Sequence, residues 1–260
     1  MTQPELITID IDDNVATLSL NRADRANAMD GPFFAALCES LDSVGGRADV
    51  KVVLLRGEGR HFCAGGDLDH PLFSDDDAES RRRQIAEAYA VTTRLLDLAV
   101  PVVCAVQGRC AGAGLALVMS ADVRVAADTA KFSLDFVRLG LSPDMGTGWL
   151  LASAVGTGRA LDFALTGEVI GAQQALDWGI VTRLVPETDL LDTATALARR
   201  LADHPRGGVE AIRRLARGLP NMSRGDGFEA EMIEMVRLTA TPEARQRLDA
   251  FRTRARAATT

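Results

Sequence analysis

Two glycine-rich stretches hold the residues whose types and spacing suit chemistry. The first is Phe62-Cys63-Ala64-Gly65-Gly66-Asp67-Leu68, and the second is Gln107-Gly108-Arg109-Cys110-Ala111-Gly112-Ala113-Gly114. Each follows a strand-like apolar run, and the second passes straight into an apolar helical segment. A strand, then small residues, then a helix N-terminus exposes backbone N–H groups that lack an intrahelical partner. Two such ends brought together by parallel strands aim two donors at one oxygen, the arrangement that stabilises an oxyanion or enolate. For either stretch alone, tight strand-to-helix packing is the simpler reading. Neither is followed by Gly-Lys-Ser/Thr, and neither has Gly-x-Gly-x-x-Gly spacing, which disfavours phosphate and hydride transfer. Farther along, Leu139-Gly140-Leu141-Ser142-Pro143-Asp144-Met145-Gly146-Thr147 offers a carboxylate ahead of a helical run. On the bare residues Asp144 reads as the N-cap of that helix.

The elements that position these stretches follow from periodicity. Ile7, Ile9 and Ile11 alternate with polar residues, and Val15, Thr17, Leu18 and Leu20 follow after Asp12-Asp13-Asn14, which predicts a hairpin. A helix is expected from about Pro32 to Val44. Lys51 to Leu55 and Val102 to Val106 are near-continuous apolar runs that suit strands covered on both faces. Between them Ile85, Ala88, Tyr89, Thr92, Leu95 and Leu96 recur at helical spacing, stopped by Pro101. A short strand is expected at Val123 to Val125. After about Met145 alternation gives way to helical patterns, with Leu190, Ala194, Leu197 and Leu201 on one face and Phe228, Met232, Met235 and Val236 on another. Met232 and Met235 are expected to fill core. Asp67 is expected to cap the next helix. Asp75-Asp76-Asp77 and Arg81-Arg82-Arg83 are expected in a solvated loop and helix start.

The 260 residues, 47% hydrophobic and 25% charged, describe a globular chain with a sizeable core and a helical appendage. The net charge of −7 argues against a nucleic-acid or anionic-membrane partner, while a local basic patch for a phosphorylated small ligand stays allowed. No apolar run is long enough to span a bilayer, and Met1 to Ile11 has no basic segment before an apolar one. Four cysteines and three histidines lack the spacing of a disulfide framework or zinc site. A cytoplasmic location with reduced thiols is expected.

The motifs together resemble the crotonase (enoyl-CoA hydratase/isomerase) superfamily. The resemblance rests on Asn21-Arg22 with Arg25-Ala26-Asn27-Ala28-Met29, on both glycine stretches, and on Leu165-Thr166-Gly167 with Ala175-Leu176-Asp177-Trp178-Gly179-Ile180-Val181. It covers nearly the whole chain in one order. It implies an α/β fold, a crotonase-like ββα spiral over residues 1–200 with two nearly perpendicular sheets, then a C-terminal helical trimerisation region over 201–260. It implies acyl-CoA as substrate, bound by a homotrimer or dimer of trimers, with no separate cofactor because coenzyme A is part of the substrate, and no metal. By motif position the two oxyanion-hole donors are the main-chain N–H groups of Gly66 and Ala113. CoA contacts fall on Arg25, Ala64, Gly66 and Arg254, the last reaching CoA of a neighbouring subunit. For both arginines a solvated surface charge is the competing reading.

The departures from the family pattern carry functional information. Where typical hydratases of the family place two glutamates, this chain has Ala116 and Phe136. Hydration needs a water oriented and deprotonated while a proton reaches carbon, work shared by two carboxylates. The Asp144 segment is similar to that of family isomerases, including Δ3,Δ2-enoyl-CoA and 1,2-epoxyphenylacetyl-CoA isomerases, which have a catalytic acid there. Moving a double bond needs one acid, provided the enolate is held. The resemblance therefore favours isomerisation with Asp144 as proton shuttle. The alternatives are an enoyl-CoA hydratase (lyase) of fatty-acid β-oxidation, Asp144 as a nucleophile, and a non-catalytic acyl-CoA-binding component. Asp135 is a second acid nearby that aligns with no family base. The acyl pocket is expected to draw on Leu68 to Tyr89 and Leu134 to Leu141, with Phe73, Phe136 and Trp149 as candidate walls or as core.

Overall fold

The computed structural model describes residues 5–69 and 77–257, with side chains to residue 253. The expected hairpin forms from β1 (Ile7–Asp12) and β2 (Val15–Leu20), turned by Asp13 and Asn14 in left-handed conformations. Helix α1 (Gly31–Gly45) follows, its first turn capped by the Asp30 carboxylate, which accepts the Phe33 N–H at 3.0 Å. Strand β3 (Val52–Gly57) pairs parallel to β2 across α1, and helix α2 (Ala78–Asp97) leads to the next parallel strand, β4 (Val102–Val106). Strand β5 (Arg109–Ala111), helix α3 (Ala113–Ser120), β6 (Val123–Ala127) and β7 (Lys131–Ser133) come next, then a 3-10 turn over Asp135–Leu139. Helices α4 (Thr147–Val155) and α5 (Thr157–Thr166), strand β8 (Val169–Gly171), helix α6 (Ala172–Trp178) and strand β9 (Arg183–Val185) lead into α7 (Leu190–Ala202), α8 (Arg206–Gly218), α9 (Arg224–Thr239) and α10 (Pro242–Ala257).

Among the described residues the strands form two sheets. The larger has the order β1-β2-β3-β4-β6-β9, parallel from β2 onward, and the smaller has the order β5-β7-β8. The continuous apolar runs mark the centre of the larger sheet. Val52, Val53, Leu54 and Leu55 of β3 and Val102 to Val106 of β4 are all buried, with α7 packed on both strands. Helix α3 is buried along its whole length, which explains why it is apolar all round.

Two expectations about the C-terminal half are corrected. Strands do not end at Met145: β8 joins the smaller sheet and β9 extends the larger one, each with three residues, too few to show a period. Met232 and Met235 do not fill core in the single chain. They are 61% and 65% exposed, beside Phe228 and Val236 on an outward face of α9. Helix α8 is instead anchored by Arg213. Its guanidinium pairs with Asp122 at 2.8 Å and donates to the Leu95 carbonyl at the end of α2, where a cation meets the negative end of the helix.

Candidate active site

The two glycine stretches lie edge to edge. Cys63 and Cys110 form a parallel bridge in which the Cys63 N–H donates to the Arg109 carbonyl at 3.2 Å and the Ala111 N–H donates to the Cys63 carbonyl at 3.0 Å. On its other side the first stretch is bridged to Met29: the Met29 N–H donates to the Gly65 carbonyl and the Asp67 N–H to the Met29 carbonyl, both at 2.8 Å. Alternation then turns the Gly66 N–H the opposite way, toward the cavity that Gly66 lines. Buried Asn27 secures this layer, its amide donating to the carbonyls of Glu58, His61 and Phe62.

Glycine is required at the contact between the stretches. Gly65 has φ +100, and a Cβ there would lie 2.8 Å from the Ala111 carbonyl oxygen and 3.5 Å from the Ala113 nitrogen. A Cβ on Gly114 would lie 2.8 Å from the Cys63 carbonyl oxygen. Ala113 opens α3 directly after Gly112, so its N–H has no intrahelical acceptor. Among the described residues neither the Gly66 nor the Ala113 N–H has an acceptor. Two free donors on adjoining segments therefore border one cavity, with the positive end of a buried helix behind one of them.

That cavity has a volume of about 790 Å³. One wall is the glycine layer with Arg25, Ala64 and Ala113. The facing wall comes from α2, where Ile85 and Tyr89 turn away from the core that holds Ala88, Val91, Thr92 and Leu95. The third runs from Asp135 to Asp144 and includes Phe136, Leu139 and Leu141. The stretches expected to form the acyl pocket do meet here. Trp149 does not: it stands 61% exposed on α4. Phe73, Asp75 and Asp76 lie outside the described residues, whereas Asp77 caps α2 by accepting the Ser80 N–H at 3.0 Å. Arg81 faces the cavity rather than open solvent alone.

The carboxylates around the cavity differ in environment. Asp67, expected to cap a helix, caps none among the described residues. It accepts both Arg25 bonds, at 3.1 and 3.2 Å, pairs with Arg22, and accepts the Asp69 N–H. Burial pushes its carboxyl upward, but that N–H and the guanidiniums outweigh it and hold the group below its ordinary value. Arg25 is thus engaged with Asp67 and with the exposed Asp69. Asp135 accepts the Ser133 hydroxyl at 2.7 Å and stands 3.9 Å from Arg109 and 4.0 Å from Arg138. Asp144 alone is left without such support. Its Oδ1 is buried with no hydrogen-bond partner among the described residues. Burial raises its carboxyl from 3.8 to about 6, against a small opposing effect of its own N–H, and no charged neighbour contributes.

Asp144 is not the N-cap of α4. Gly146, in a left-handed conformation, holds that position, and Asp144 presents its main-chain carbonyl to the Thr147 N–H at 2.8 Å and hydroxyl at 2.7 Å. Its side chain is free to face the cavity. Such an unpartnered buried carboxylate lining the same cavity as two free backbone donors is a candidate for taking and returning a proton.

From residue 10 to residue 257 the sequence matches the enoyl-CoA hydratase/isomerase family. The chain belongs to this family. It is 39% identical over 211 residues to the 1,2-epoxyphenylacetyl-CoA isomerase of Escherichia coli K12, covering 80% of each chain. It is 34% identical to a "Probable enoyl-CoA hydratase" of Rhodobacter capsulatus, over 80% of this chain and 79% of that one. The crystal structure of an enoyl-CoA hydratase of Mycobacterium smegmatis superposes with a TM-score of 0.91 at 28% identity, covering 96% of both chains. The fold is the crotonase fold, and the family is one of enzymes. Of the two positions where hydratases of the pattern carry glutamate, Ala116 is wholly buried in α3, and Phe136 closes the cavity wall near Gly112. Arg254 lies on α10, with its side chain outside the described residues. No described helix is long and apolar enough to cross a membrane.

The segment ending at Tyr89 was expected in the pocket wall, but which of its residues turn there was not read from the sequence. Ile85 and Tyr89 share the helical period of the core residues of α2, yet they line the cavity. The signal was present in their spacing: residues 81, 85 and 89 form an i, i+4, i+8 stripe beside the buried 88, 91, 92, 95 stripe.

Proposed function

We propose that this chain isomerises enoyl-CoA thioesters, with Asp144 as the single proton carrier. The reading rests on the buried, unpartnered Asp144 oxygen in the cavity wall. In a 3-enoyl-CoA the Asp144 carboxylate takes a proton from C2, and the electron pair delocalises onto the thioester oxygen. The N–H groups of Gly66 and Ala113 donate to that oxygen and stabilise the dienolate. The same carboxyl group then returns its proton to C4, giving the 2-enoyl-CoA with no net gain or loss of atoms. CoA enters as part of the substrate, along Ala64 and Gly66, with Arg25 and a neighbouring subunit's Arg254 toward its phosphates. At Arg25 a phosphate competes with Asp69, whose side chain is 80% exposed.

A hydratase reading would need a second proton-transfer group. Asp135 is the other acid on the same wall, and the Ser133 hydroxyl occupies one of its oxygens while Arg109 and Arg138 flank it. The isomerase reading predicts turnover limited on the acid side by one group. Below about pH 6 Asp144 holds its proton and cannot accept another, so kcat rises with pH through that value and levels above it. A pH–rate profile flat from 5 to 8 would contradict it.

The assembly we propose is a homotrimer or a dimer of trimers. Phe228, Met232, Met235 and Val236 on α9, each more than 60% exposed, form an apolar face of the kind a partner subunit covers. Sedimentation is expected to give three or six times the 27.7 kDa chain mass; a monomer would remove this reading.

A further inference from the structure

Asp144 lines the cavity, and its Oδ1 is buried with no donor among the described residues, so its direction is set through the main chain. Two bonds do this. Its own carbonyl is clamped by Thr147, and the next carbonyl, that of Met145, accepts the Thr92 hydroxyl at 2.8 Å. Thr92 is 5% exposed on α2, and Met145 is wholly buried. Met145 has φ +50 and Gly146 has φ +75, so two left-handed residues in succession follow the acid. A methionine keeps that conformation only where its surroundings over-determine it. The Thr92 methyl also stands against Gly146, 3.8 Å from where a Cβ would lie. One side chain therefore bonds the first residue of the turn that aims Asp144 and lies close to the second.

We propose that Thr92 is a positioning residue: its hydroxyl locks the Met145 carbonyl and thereby directs the Asp144 carboxylate into the cavity. The inference rests on the proposed role of Asp144. Because Ile85 and Tyr89 on the same helix also line the cavity, α2 contributes to both the shape of the pocket and the aim of its acid. A small rotation of the 144–146 turn would move the carboxylate by a large part of an ångström, enough to slow proton transfer without altering CoA-ester binding.

The test compares Thr92→Val, which keeps the shape and removes the hydroxyl, with Thr92→Ser, which keeps the hydroxyl. Val91→Ala, a buried change on α2 with no bond to the turn, controls for lost stability. With a 3-enoyl-CoA as substrate, Thr92→Val is expected to lower kcat by about 10- to 100-fold with little change in KM. Thr92→Ser is expected to recover most of it, and Val91→Ala to keep the wild-type kcat. Should Thr92→Val fail to fold, Thr92→Ala carries the same comparison. A Thr92→Val enzyme with wild-type kcat would overturn the inference, as would an equal loss in Val91→Ala. Asp144→Asn, assayed alongside, separates the two levels. If it stays active the role of Asp144 falls, whereas an inactive Asn variant with a fully active Thr92→Val removes the positioning role alone.

Discussion

Asp144→Asn is expected to abolish double-bond migration while raising the stability of the protein at neutral pH. A positioned acid or base contributes about 10²–10⁴ in rate, and with a single proton carrier the loss should fall at or beyond the upper end. Affinity for a CoA ester should change little, because the thioester oxygen is held by main-chain donors. The stability effect has the opposite sign for a physical reason. The folded protein keeps the Asp144 proton up to about pH 6, whereas an exposed carboxyl releases it near 3.8. Between these values the native state binds more protons than the unfolded chain, so stability falls as pH rises and stays reduced above. A shift of this size corresponds to roughly 2–3 kcal/mol, part of which an unpartnered asparagine amide would give back. A rise in thermal midpoint of roughly 2–6 °C is therefore expected at pH 7.5. It should vanish below about pH 4, and a destabilised Asn variant at pH 7.5 would show that the carboxylate has a structural partner.

Ala113→Pro tests the other half of the site, since the proposed donor is main chain. The substitution removes one N–H at the first position of α3, where proline is well accommodated. Gly112 before it has φ +49 and ψ −121, the mirror image of the extended region favoured before proline, which glycine adopts without strain. Loss of one oxyanion donor is expected to lower kcat by about 10²–10³ with the chain still folded. The acid limb of the pH profile should stay near 6, because Asp144 is untouched. Turnover within about threefold of wild type would take Ala113 out of the hole.

The sequence was most informative where a pattern has length or a motif has steric cause. The hairpin, β3, β4 and α2 follow from alternation, continuous apolar runs or helical spacing over five residues or more, and Gly65 and Gly114 sit where a Cβ would strike the neighbouring backbone. Strands β8 and β9 escaped because three residues carry no period and pair only through tertiary contact. Met232 and Met235 were misplaced because an apolar face says that something covers it, not whether the cover is the same chain. Asp67 and Asp144 show how far local signals reach. Each looked like a helix cap from its neighbours; Asp67 is held by arginines forty-odd residues away in sequence, which no local signal shows, and Asp144 is displaced from the cap by Gly146. Thr92 carried only its helical register, and its bond to Met145 spans 53 residues.

The central claim is that one carboxylate moves a proton along the acyl chain. Incubation of the wild-type protein with a 3-enoyl-CoA in deuterated water, followed by NMR of the products, tests it most directly. The account predicts the conjugated 2-enoyl-CoA, its new C4 hydrogen coming from C2 except in turnovers where the Asp144 proton exchanges with solvent deuterium before it is returned, and this migration is lost in Asp144→Asn. A 3-hydroxyacyl-CoA formed from the 2-enoyl-CoA as the main product, at the same rate in wild type and Asp144→Asn, would contradict it.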